Sequence, residues 1–230
     1  MAEELARFID RYTLEYVRTY PHPIDRVWRA IIEPAEFSAW FIPGRMEARV
    51  GGRYWFGDDG FQGAVQALEP PTLLRLADDK QGQVFQYVLS AVGGDNTRMQ
   101  FVHCYPRDGV PQVEAWTERF TDEQRRALGG VDRSSYPQWR PGAMGGFHAM
   151  FDALADHLDG VEKGSRLPAT TISTFVHGWA TLAGGMNDFA PEEKARRAEV
   201  FRSLRDRERW MELIDLYRDL IAATLPPPRG

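Results

Sequence analysis

Apolar and polar positions change their period several times along the chain. Residues 11–20 (RYTLEYVRTY) are rich in aromatic and β-branched side chains and predict a strand, which Pro21-His22-Pro23 ends. Ile24, Val27, Trp28 and Ile31 then recur at helical spacing, with Pro23 suited to a first turn and Asp25 near the positive end of the helix dipole. Glu33-Pro34 breaks that helix and opens another, in which Phe37, Trp40 and Phe41 form one apolar stripe.

From about 45 to 105 the period falls to two. Six β-type runs follow one another: MEARV, RYWF, FQGAVQAL, TLLRLA, QVFQYVLSAV and TRMQFVHCY. Gly51-Gly52, Gly57 to Gly60, Pro70-Pro71, Asp78 to Gly82 and Gly93 to Asn96 divide them, as hairpin connections would. The pattern predicts an antiparallel meander. In its last run Met99, Phe101, His103 and Tyr105 share one face, and Arg98, Gln100, Val102 and Cys104 the other. Tyr54, Trp55 and Phe56 are consecutive, so both faces there carry apolar surface and the outer one needs a cover.

Residues 106–138 are mixed, with Thr121 and Gln124 at capping-box spacing before a short helix that Gly129-Gly130 would end. Ala143, Phe147, Met150, Leu154 and Leu158 recur at steps of three or four and predict a long amphipathic helix over 139–159, stopped by Gly160. Residues 161–170 have linker character. A second helical stretch covers 191–225, with a stripe of Val200, Leu204, Leu213, Ile214, Tyr217, Leu220 and Ile221. That stripe is a candidate cover for the outer sheet face, from the same chain or from a dimer partner.

Composition narrows the function. The 230 residues are 43% hydrophobic and 27% charged, ordinary values for a globular chain. A formal net charge of -5 argues against nucleic-acid binding, which relies on an excess of Lys and Arg. No apolar run approaches the roughly 18 residues that span a bilayer. The N-terminal MAEELARFIDRY carries charges where a secretory signal needs apolar residues, and Cys104 has no intrachain partner, so the expected location is cytoplasmic.

The order strand, two small helices, six strands and long helix resembles the START-like helix-grip fold. YPHPIDRVWRAIIEPAEFSAWF is similar to the opening of the activator-of-heat-shock-protein-ATPase homologue family, and VGGRYWF resembles that family's glycine turn and aromatic strand. ALEPPTLL, FVHCY and FHAMFDALADHLDG resemble its Pro-Pro hairpin, last strand and closing helix, so the likeness covers roughly residues 11–160. The resemblance implies an α+β fold, a curved antiparallel sheet wrapped around a long helix. It also implies a helix-grip domain over 1–160, leaving 161–230 as a helical C-terminal extension. Residues 106–138 exceed the family's usual length and 161–230 have no counterpart in its minimal domain.

The fold commonly keeps a void between helix and sheet, and an abundance of aromatic residues suits its walls. The expected function is therefore non-catalytic binding of a small hydrophobic, lipid-like molecule. The expected ligand-binding residues are Trp40, Tyr54, Phe56, Phe85, Tyr87, Phe101, His103, Phe147 and Met150. His103 brings a neutral imidazole into an apolar row, where it can orient a carbonyl or hydroxyl. The same residues at such spacing also make ordinary core. Two rival functions follow from the resemblance: an enzyme like the polyketide cyclases and aromatases of the wider superfamily, and an accessory that stimulates a chaperone ATPase, the less expected of the two partners.

Other chemistry is poorly supported. His148, Asp152 and Asp156 are spaced four apart on one helix, but no CxxC, HExxH or ExxH pattern supplies a metal site, and no cofactor is expected. Glu114, Glu118, Asp122 and Glu123 read as a solvated charged face. Gly51-Gly52 lacks the Lys and following helix of a phosphate loop, Ser134-Ser135 lies in no nucleophile elbow, and Cys104 faces away from the His103 row.

Overall fold

The computed structural model describes residues 5–41, 44–56, 61–79, 82–105, 141–161 and 207–224. Expectations for 106–138, 161–170 beyond Val161 and 191–206 lie outside these residues. The chain forms two compact units, one of residues 1–110 and 150–165, the other of 111–149 and 166–230.

The first unit holds one antiparallel sheet. Its strands are β1 (Arg7–Asp10), β2 (Thr13–Tyr20), β3 (Gly44–Met46), β4 (Arg53–Phe56), β5 (Phe61–Glu69), β6 (Leu73–Asp78), β7 (Val84–Ala91) and β8 (Thr97–Cys104). They run in the order β1-β2-β8-β7-β6-β5-β4-β3, so the meander from β3 to β8 closes on β2 and every neighbouring pair is antiparallel. Two expectations need correcting. The predicted strand 11–20 begins only at Thr13, because Arg11 and Tyr12 turn the chain back onto β1, with the Tyr12 amide donating to Asp10 Oδ1 at 2.7 Å. The predicted strand MEARV ends at Met46, since Glu47 to Gly52 fold into a turn in which Arg49 N–H donates to Glu47 O at 2.7 Å.

Helices α1 (Ile24–Ile32) and α2 (Pro34–Trp40) interrupt the sheet where the sequence places them. Glu33 has extended backbone between them, as a residue before proline prefers. Val27, Trp28, Ala30 and Ile31 are the buried residues of α1, and the Trp40 indole N–H donates to Ala30 O at 2.8 Å, fastening α2 to α1. Trp55, on the outer face, is half-buried beneath the Arg45 guanidinium, 5.7 Å from its ring on the paired strand β3.

The long helix α3 (Pro141–Leu158) contributes its second half to this unit. Phe151 and Leu154 have no exposure, and the Phe151 ring meets Tyr16 edge-on at 5.4 Å and Phe101 at 5.0 Å on the sheet. The sheet face carrying Tyr16 and Phe101 is therefore the inner one. Polar ties fix the C-terminal end of α3. Glu36 accepts from His157 at 2.8 Å and Arg26 at 2.6 Å and forms an ion pair with Arg29 at 3.2 Å, while His22 pairs with Asp159 at 2.7 Å. Burial pushes the Glu36 carboxyl up, but its His157 and Arg26 hydrogen bonds and their charges outweigh that and hold it below the usual carboxylate range.

In the second unit, helix α4 (Arg207–Thr224) buries Leu213, Ile214 and Tyr217, three positions of the predicted stripe. Its described neighbour is the first half of α3. A Cβ on Gly145 would lie 3.4 Å from that of Leu213, and His148 Nδ1 is 3.0 Å from the Tyr217 hydroxyl. His148 thus finds a tyrosine, the kind of partner a buried imidazole needs.

Candidate functional site

Strand alternation assembles the inner face from rows of paired residues. One row runs Leu14, His103, Phe85, Leu76 and Val65 across five strands, and the next runs Tyr16, Phe101, Tyr87 and Leu74. Beyond the His103 row, at one end of the sheet, lies a polar row. Tyr54 pairs with Gly63 and Gly63 with Asp78, whose amide donates to Gln83 O at 2.8 Å. Tyr54, Asp78, Gln83 and His103 are each at most 4% exposed, so hydroxyl, carboxylate, amide and imidazole are gathered on a face that is otherwise mostly apolar.

Local sequence explains the placement. Asp78 continues the alternation of Leu74 and Leu76, and Gln83 that of Phe85 and Tyr87, which turns both side chains inward. Glycine is required at 63. A Cβ there would stand 1.8 Å from Ala77 O and 3.0 Å from Cε1 of Tyr54, so the missing side chain is what lets β6 and the tyrosine ring close in.

The electrostatics are those of a dry site. Burial pulls the His103 imidazole down to about 3, so the ring is neutral at physiological pH. Its Nε2 lies 2.6 Å from Gln83 Oε1, a carbonyl oxygen that only accepts, and the pairing therefore assigns the ring hydrogen to Nε2. Burial, then the charges of Asp78 and Asp79, push the Tyr54 hydroxyl up and keep it protonated. Tyr87 is raised by burial alone. The Tyr54 hydroxyl oxygen is shielded from solvent and has no hydrogen-bond partner, in contrast to Tyr20, whose hydroxyl donates to Phe151 O at 3.2 Å. A buried polar atom left unpaired costs about 1–3 kcal/mol, and native structures hold few.

The residues singled out from sequence fall into groups. Phe85, Tyr87, Phe101 and His103 form one cluster, with Phe101 4.8 Å from Tyr87 and Phe85 4.9 Å from His103. Tyr54 meets Phe56 at 4.9 Å, Phe56 stacks on Phe37 at 4.6 Å, and Phe37 meets Trp40 at 5.0 Å. Met150 is buried in the first unit, and Phe147 is buried on the half of α3 belonging to the second. Asp78 was missed because it opens the polar stretch Asp78 to Gly82, which reads as a divider, whereas Gln83 lies inside the predicted run QVFQYVLSAV and was not singled out. The period of two extended one residue past TLLRLA turns Asp78 inward. Cys104 lies on the opposite face, its Sγ 3.5 Å from Thr13 Oγ1. Among the described residues no three His, Cys, Asp or Glu come together as a metal site, and no helix is long and apolar enough to cross a membrane.

Residues 21–159 match the family model described as activator of Hsp90 ATPase homolog 1-like protein. The chain belongs to this family. No curated protein matches it. Among solved structures, CalU16 from Micromonospora echinospora, determined by solution NMR, is 18% identical, with 97% of this chain and 99% of that chain covered and a TM-score of 0.52. MLL2253 from Mesorhizobium loti is 23% identical over 66% of this chain and 99% of its own, with a TM-score of 0.46. PFC0360w, described as an HSP90 activator from Plasmodium falciparum, is 14% identical over 51% of this chain and 96% of its own, with a TM-score of 0.39. The family match and the likeness to CalU16 establish the α+β helix-grip fold.

Proposed function

We propose that this family member binds a small hydrophobic molecule on the inner face of its sheet and does no chemistry on it. The observation that carries the reading is the buried, unpartnered Tyr54 hydroxyl on a largely apolar face that also buries Asp78, Gln83 and His103. Small-molecule sites combine such apolar walls with a few polar groups that fix orientation. Tyr54, Phe56, Phe85, Tyr87 and His103 are the proposed contacts, with Trp40, Phe101 and Met150 of the same unit behind them. The helix-grip domain is proposed to span 1–160 and the helical extension 161–230, a division supported by a family match that ends at residue 159.

Native mass spectrometry of protein from gently lysed cells tests this. The reading expects a mass above that of the chain, lost on denaturation, and saturable binding of neutral aromatic probes to the emptied protein. A bare chain that binds no probe contradicts it. A probe chemically altered on incubation would favour an enzyme. The family's name supports a second reading, a chaperone accessory. Stimulation of a chaperone ATPase by the purified chain, unchanged by saturating probe, would favour that one.

A further inference from the structure

Resting on the inner face being a ligand site, we propose that its occupant is an uncharged ring compound whose carbonyl oxygen accepts the hydrogen of the Tyr54 hydroxyl. The need is for an acceptor. Tyr54 is 2% exposed, its hydroxyl has no protein partner, and the carboxylates of Asp78 and Asp79 favour its protonated form. A protonated phenol donates one hydrogen, and a carbonyl is the compact apolar-borne group that takes it.

Among the described residues, charge argues against the common anionic alternatives. A fatty-acid carboxylate or a lipid phosphate at this end would meet Asp78 in a buried setting, where like charges repel strongly. None of the described buried residues is Lys or Arg. Arg18 is the inner-face cation of β2, but it stands opposite Met99, two rows beyond His103, and its guanidinium donates to Val17 O at 2.8 Å. Arg53 beside the tyrosine is exposed and paired with Asp79. His103, uncharged, offers no countercharge either. The surroundings are aromatic, with Tyr54 against Phe56 and Phe85 against His103, surfaces on which a ring compound stacks well.

Three probes sharing one ring system separate the outcomes: 2-acetylnaphthalene, 2-ethylnaphthalene and 2-naphthoate, titrated calorimetrically into the full chain and into Tyr54→Phe. One hydrogen bond to an otherwise unpaired group is expected to give the ketone an affinity about tenfold above the hydrocarbon. The naphthoate should bind about tenfold or more below the ketone. In Tyr54→Phe the ketone should fall to the hydrocarbon's affinity while the hydrocarbon is unchanged. Equal binding of ketone and hydrocarbon by the natural chain overturns this inference and leaves hydrophobic binding intact. Tightest binding by the naphthoate also overturns it and redirects attention to Arg18. Binding of none of the three overturns the inference and the proposed function together.

Discussion

Two deeply buried polar side chains, one on each face of the sheet, are treated in opposite ways. On the outer face Glu15, 1% exposed, accepts hydrogen bonds from both Arg7 and Gln100. Burial pushes its carboxyl up, but those bonds and the charges of Arg7 and Arg98 outweigh it, so the acid is held below its ordinary range. On the inner face Tyr54 is buried as deeply and its hydroxyl is left unpaired. Full pairing marks a group that serves the fold, whereas an unpaired donor costs stability that only a bound acceptor recovers.

The largest expected effect belongs to the core between these extremes. Phe101 has no exposure and is ringed by Tyr16, Tyr87, Phe85 and Phe151, so Phe101→Ala should lower unfolding free energy by about 3–5 kcal/mol in chemical denaturation. A loss below about 1 kcal/mol would mean that the ring already borders open space, and the boundary between core and site would have to be redrawn toward α3.

Next comes Glu15. Glu15→Ala strips the Gln100 amide of its acceptor and should cost about 1–3 kcal/mol at neutral pH. Because its folded value is depressed, this contribution is present above the ordinary value of 4.5 and is lost as pH falls through the lower folded value. A variant as stable as the natural chain at pH 7 would place the outer cluster among surface ion pairs of little worth.

His103 sharpens the comparison through a different pH window. Its folded value of about 3 lies below the ordinary 6.5, so between these the unfolded chain takes up a proton that the folded chain refuses. Stability is full above pH 6.5 and declines as pH falls toward 3. From pH 6.5 to 5 the decline assigned to this residue is about 2 kcal/mol, and His103→Gln should flatten the profile by that amount. Parallel profiles for the two proteins would show that the imidazole is hydrated and the site wetter than described.

The smallest effect is the most diagnostic of the contrast. Tyr54→Phe removes a hydroxyl that bonds to nothing, so the ligand-free protein should be unchanged or up to about 1 kcal/mol more stable. A loss of 1 kcal/mol or more would reveal a partner and return Tyr54 to the same class as Glu15.

Much of this was legible in the sequence. The alternation in TRMQFVHC fixed which side chains turn inward, and β8 is buried at every second residue with Phe101 and His103 inside as expected. Strand β1 was not legible, because RFID is four residues long, exposed at three of them, and held by pairing with β2 rather than by an apolar face of its own. Asp78 was hidden for the converse reason. A polar residue beside a turn reads as turn, and only the register shows that it belongs to a buried row. Tyr54 was named as one aromatic among several, and its distinguishing property is a missing partner, which no residue pattern encodes.

The central claim concerns the Tyr54 hydroxyl, and nuclear magnetic resonance of protein labelled at tyrosine Cζ observes it directly. With the Tyr54 signal assigned through Tyr54→Phe, titration with 2-acetylnaphthalene should move it saturably, while Tyr20, already donating to Phe151 O, stays still. A probe that binds saturably while the Tyr54 signal does not move would contradict the account.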